Sequence, residues 1–152
     1  MKAGGDDQKQ LDDLPKKIIV ELIERNKALN CLFAISRIID QHHSLEETLQ
    51  QVVDILPSAW QHSEHTCARI IIENQIVTTD NFSETVGRQT CKLLVNGCPE
   101  GSVEIYHDKF RTKMDETFFL KEEMDLLEAV AERLGKMIER HRTAEALQKS
   151  EQ

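Results

Sequence analysis

The residues best equipped for chemistry cluster most tightly in His62-Ser63-Glu64-His65-Thr66-Cys67, where two imidazoles and a thiol fall within six positions. Imidazole nitrogen and thiolate sulfur are ligands for zinc and iron, and a closed site would take a fourth donor from another strand, Cys91, Cys98 or His107. The spacing matches no established ligand pattern. His62, His65 and Cys67 therefore stand as metal candidates against a plainer reading, a polar loop before a strand with Cys67 as a small strand residue. Cys91 and Cys98 flank a turn and raise a second chemistry, thiol-dependent reduction. A nucleophilic thiol needs a nearby cation or helix N-terminus to lower its pKa, and Lys92 is the cation beside Cys91 in sequence. Cys31, Cys67, Cys91 and Cys98 form no CxxC pair, so reduced thiols in a cytoplasmic protein are expected. His42-His43 reads as an exposed loop. His141 continues an apolar stripe, where it reads as a rim residue and lacks the surroundings of a phosphoacceptor. Glycine-rich phosphate loops and paired catalytic carboxylates are absent, so no catalytic residue and no cofactor is assigned.

The elements that must carry these groups fit one domain, since 152 residues bury a single core. A net charge of -8 argues against nucleic acid as a partner, because phosphate binding needs a concentrated basic surface. No stretch reaches the roughly 20 apolar residues of a membrane span, and the polar N-terminus lacks a signal-peptide pattern. Residues 1–15 read as a flexible leader. From Lys16 the pattern is helical, with Pro15 suited to a first turn and Ile18, Leu22, Leu29, Leu32 and Ile39 at three- and four-residue steps. Ile19, Ile23, Phe33 and Ile35 widen that face. Ser44-Leu45-Glu46-Glu47 is a capping box opening a second helix, whose face is Leu45, Leu49, Val52, Val53 and Leu56, with Pro57 near its end.

After Trp60 the period changes. Ala68-Arg69-Ile70-Ile71-Ile72 suits a central strand, Glu73-Asn74-Gln75 a tight turn, and Ile76 to Thr79 its partner. Gln89 to Val95 is a further strand, Asn96 to Gly101 a loop rich in turn formers, and Ser102 to His107 the return strand. Short connections imply antiparallel pairing. A last helix is expected from Phe119 to Lys149, roughly 45 Å long at 1.5 Å per residue, which is longer than so small a body needs. One of its stripes holds Leu120, Met124, Leu127, Ala131, Leu134, Ile138 and His141. A second holds Leu126, Val130, Met137, Ala144 and Leu147.

Gly101-Ser102-Val103-Glu104-Ile105-Tyr106, followed by Phe119-Leu120-Lys121-Glu122-Glu123 and the leucine- and alanine-rich Leu126 to Ala131, resembles the closing pattern of a GAF domain. Thr79 to Thr85 and Gly87-Arg88-Gln89 are similar to a short GAF-related subtype of multidomain sensor kinases. The resemblance runs from about Leu29 to Arg142. It implies an α+β fold, a central antiparallel sheet with the N- and C-terminal helices on one face. Residues 16–142 would form that domain, and 143–152, which resembles the connector feeding a PAS or kinase domain, the start of a helical linker. The function implied is a non-enzymatic sensory or relay module of a two-component sensor histidine kinase. Alternatives are a small-ligand or metal sensor of a diguanylate cyclase or transcriptional regulator, and a GAF-fold cysteine-dependent reductase. The short Asp80–Arg88 connection leaves little to close a ligand cavity. The expected partner is a second copy, paired through Ile18, Leu22, Leu29, Val130, Met137, Ala144 and Leu147.

Overall fold

The computed structural model describes residues 3–41, 43–61, 63–85, 87–107 and 121–150. Expectations for His42, His62, Phe119 and Leu120 lie outside these residues. The fold is α+β: among the described residues, three α-helices and a four-stranded antiparallel sheet. Helix α1 spans Ala3–Asp40, α2 Leu45–Ile55 and α3 Lys121–Ser150; strands are β1 Thr66–Ile72, β2 Gln75–Thr78, β3 Gly87–Val95 and β4 Cys98–His107.

The capping box expected at Ser44 is half realised. Its hydroxyl accepts from the Glu47 amide at 3.2 Å, satisfying a donor at the start of α2, while the Glu47 carboxylate lies 3.4 Å from the His43 ring. Pro57 sits in a short 3-10 turn, Leu56–Ala59, that closes the helix. Leu49, Val52, Val53 and Leu56 are fully buried, which at roughly 1.5–3 kcal/mol per side chain makes α2 a core element.

Strand order is β2-β1-β4-β3. Two hairpins, β1–β2 and β3–β4, join through β1 and β4, with Ile70 opposite Val103 and Ala68 opposite Ile105. Alternation then sorts the side chains. Ala68, Ile70, Ile72, Val77, Leu93, Val103 and Ile105 face the helices and are buried with them. Cys67, Arg69, Ser102, Glu104, Tyr106 and Arg88 share the opposite face by register. Helix α2 packs on β1 and β2, α3 chiefly on β3, and α1 on α2 and α3.

Three expectations are corrected. Helix α1 begins at Ala3 and runs through Pro15, so over residues 3–15 a helix stands where a flexible leader is expected. The loop expected from Asn96 to Gly101 shrinks to Asn96-Gly97, because both have positive φ (52° and 79°) and form a two-residue hairpin turn by themselves. Cys98, Pro99 and Glu100 already belong to β4. Pro99 is tolerated there because β1 pairs with β4 only from Gly101 onward, so the proline lies beyond the strand it would have to donate to. The two stripes expected on α3 form one broad buried face holding Leu126, Leu127, Val130, Ala131, Leu134, Met137 and Ile138, with Met124 exposed.

Candidate functional site

The connection from β2 to β3 must travel from one sheet edge to the other, three strand spacings or about 14 Å. It does so across the face that bears no helix, at the end of the sheet holding Thr66 and His107. The Asn81 side chain donates to the Thr66 carbonyl (3.2 Å) and the Thr85 hydroxyl to that of His107 (2.8 Å). The Ser83 amide lies 3.4 Å from the Cys67 sulfur. Beneath this strap is Arg69. Its Nε donates to Glu104 at 2.5 Å, and one terminal nitrogen donates to Glu84 (2.8 Å) and to the Tyr106 hydroxyl (3.2 Å). Its guanidinium carbon stands 5.0 Å from the Phe82 ring centroid, and Phe82 meets Tyr106 edge-on at 5.5 Å. The bond to Glu104 holds the Arg69 charge above its ordinary range, and burial first, then Glu104, pushes the Tyr106 phenol up. Arg69, Phe82 and Tyr106 thus pack on one another between the sheet and the strap.

The signal for this cluster was legible but unused. A lone arginine inside Ala68 to Ile72, and a lone glutamate between Val103 and Ile105, mark charges that a strand buries only as a pair.

Two of the three candidate ligands lie among the described residues. His62 lies outside the described residues. The His65 ring stands 5.9 Å from that of His107, while Cys67 faces Ser83 on the strap. Among the described residues, no group of three or more His, Cys, Asp or Glu side chains is placed to hold a metal ion. The thiols run against low-pKa chemistry where a shift is resolved: burial raises Cys31 to about 11, and burial and then Glu128 raise Cys91. Cys91 and Cys98 stand opposite Val103 and Val95 respectively, roughly 13 Å apart along the ladder rather than as a pair.

The terminal helices carry the other feature. Helices α1 and α3 run parallel. Arg25, Ala28, Leu29 and Leu32 share a groove with Lys121, Glu122, Asp125, Leu126 and Ala129; Arg133 reaches Ser36 (2.5 Å); Ile39 and Asp40 share a groove with Met137, Arg140, His141 and Ala144. Of the residues expected to pair two copies, Ile18, Leu22 and Leu29 are each about half exposed (51–53%), Leu147 is 62% exposed, and Ala144 is exposed. Val130 and Met137 are corrected: they are core residues at 0% and 2%, because α3 turns its whole apolar face inward. Phe33, read only as widening the face, is 69% exposed and in line with Ile18, Leu22 and Leu29 at steps of four, seven and four. His141 is half-buried at the groove, as a rim residue would be.

No protein-family model matches the chain, and no curated protein matches it significantly. No helix among the described residues is long and apolar enough to cross a membrane.

Proposed function

We propose that this chain is a GAF-like sensory or relay module of a signalling protein, of the kind found in two-component sensor histidine kinases, acting as a homodimer through its terminal helices. What carries the reading is the parallel course of α1 and α3 together with where each leaves the body. On α1 the side chains of residues 16–23 are exposed and burial starts at Glu24; on α3 burial ends at Ile138 and residues 143–149 are exposed. Helix α1 therefore arrives from one end of the body and α3 departs from the other. At 1.5 Å per residue, Ala3 to Ile23 extends about 32 Å before the core, and residues 143–150 about 12 Å after it. Such an in-line pair passes a rotation or shift of one helix to the other through a shared packed face, and bistable helix packing is a recognised switching device. The interior of the sheet's open face is occupied by the chain's own side chains, which favours relay over ligand sensing.

A second copy suits the exposed stripe of Ile18, Leu22, Leu29 and Phe33, large apolar side chains in register on a helix that has no cover of its own there. Light scattering tests the pairing. The wild-type chain should give twice the monomer mass and Leu22→Glu/Leu29→Glu the monomer mass with unchanged helicity. A monomeric wild-type chain at high concentration, or a double variant that stays dimeric, would overturn it.

A further inference from the structure

Where α3 leaves the body it is fastened to both hairpin turns. The Glu139 carboxylate accepts from the Asn96 amide at 2.6 Å. Arg142, one turn further on, forks between two carboxylates of different hairpins, pairing with Glu100 through one terminal nitrogen and with Glu73 at 2.6 Å through the other. The β1–β2 turn also touches β4, the Glu73 amide donating to the Glu100 carbonyl at 3.2 Å. Ile138 is the last buried apolar residue of α3, and the side chains of 143–149 are exposed.

Two features show that this fastening is specific to these residues. Glu73 has φ 49°, in the left-handed region where glycine or asparagine is the undemanding choice. A glutamate there breaks the local rule, and such conflicts mark positions where the side chain has a task. Its carboxylate meets Arg142, 69 residues away. Glu100, in turn, lies next to the register shift between Leu93 and Leu94, an irregularity that re-aims a strand residue. Both carboxylates are thus brought by unusual backbone to one guanidinium on the outgoing helix.

We propose that Glu73, Glu100 and Arg142 form a detachable joint that decides whether the outgoing end of α3 is docked on the hairpin tips or released from the sheet. The charges are partly exposed, with the Arg142 and Glu100 side chains 34% and 28% accessible, so the joint is screened by salt and weak enough to open. Its importance for signalling rests on the relay reading above; the docking itself does not, and holds for monomer or dimer alike. Opening would free α3 from Arg142 onward, about two and a half turns, while the Glu139 bond to Asn96 and the Gly135 contact with Leu94, about two turns before the joint, stay closed.

Hydrogen exchange of the full chain tests it through Glu73→Gln/Glu100→Gln, which alters no residue of α3. Amides of residues 141–147 should exchange about threefold to tenfold faster, with those of 126–134 unchanged. Arg142→Gln, nearly neutral in helix propensity, should give the same increase, and Arg140→Gln, at the groove with α1 rather than at the hairpins, should give none. Unchanged exchange in the carboxylate double variant, or an equal increase with Arg140→Gln, would overturn the joint. The dimer mass of the same variants reports separately on the relay reading.

Discussion

Arg69 and Glu104 form an ion pair that little water reaches, and that sets its energetic weight. Glu104 is buried and bonded to Arg69 at 2.5 Å, whereas Glu84, which shares the same guanidinium, is mostly exposed. Arg69→Leu should therefore cost about 3 kcal/mol in urea unfolding, because it leaves a carboxylate uncompensated in the interior. Glu84→Gln should cost less than about 1 kcal/mol. Two glycines carry comparable weight through close backbone approach. A Cβ on Gly101 would stand 1.9 Å from the Ile71 carbonyl oxygen and one on Gly135 2.3 Å from that of Leu94, both against backbone. Either alanine substitution should lower the urea midpoint sharply, Gly101 the more so because two central strands would have to part. Cys31 supplies a pH dependence. Its thiol is raised from 9.0 to about 11 by burial, so the folded state holds the proton more tightly than the unfolded chain. That contribution is complete below pH 9 and is lost as pH rises towards 11, about 3 kcal/mol in all. Melting temperature should accordingly fall more steeply between pH 8.5 and 10.5 in the wild-type chain than in Cys31→Ala, whose cavity lowers stability at every pH without steepening the slope.

At the scale of elements, what could be read from sequence was whatever is local. Ser44 caps α2, Asn96-Gly97 turns a hairpin, and the β-branched run at Ile70 to Ile72 lies in a central strand, because each is decided by neighbours a few residues away. The length of β4 was hidden by Pro99 and Gly101, both turn formers by type. One is permitted by the end of β1 and the other required by the closeness of Ile71. On α3 the period showed two apolar stripes, one for the sheet and one for another helix, but not that α1 of the same chain would be that helix. Met137→Glu is consequently a core-breaking substitution and says nothing about pairing. The Arg69 and Arg142 clusters join residues 15 to 69 positions apart, and only the folded chain brings them together. The outer face of α1 carries the next prediction. Arg25 falls in the gap between Leu22 and Leu29, so parallel copies in register would set two guanidiniums near each other, a cost that pairing must overcome through the four apolar layers. Leu22→Cys in a Cys98→Ser background should form a symmetric disulfide under mild oxidation if α1 helices run parallel. A disulfide between Leu22→Cys and Leu29→Cys chains, without either symmetric product, would mean they run antiparallel and that the two outgoing helices point apart.

For the whole molecule, direction is the consequential property. Helix α1 arrives at the end of the sheet where residues 79–85 cross the open face, α3 starts there too, with Glu123 accepting from the Gln61 amide (2.7 Å), and α3 leaves past the hairpin turns at the other end. A torque on α1 has a continuous packed route to Arg142: Cys31 and Ile35 lie in the same buried cluster as Leu134, Met137 and Ile138, and Gly135 presses α3 on the edge strand so closely that rotation of α3 must displace Leu94. Interiors packed at crystal-like density transmit such displacement rather than absorb it. The expectation can be measured without knowing the stimulus. A parallel two-stranded coiled coil is fused ahead of Ala3 in two versions differing by one residue, which turns α1 by about 100° relative to the imposed axis. Spin labels at Gln148, on the exposed end of α3, then report the separation of the two outgoing helices. Relay predicts different label distances for the two phases and the same distance for versions offset by seven residues, a near-whole number of turns. It further predicts that Glu73→Gln/Glu100→Gln broadens the distances in both, since the joint no longer holds the helix to the body that turned. Identical distances in the two phases, with both fusions dimeric and folded, would mean that α1 turns without α3 and that the module is an anchor rather than a transmitter.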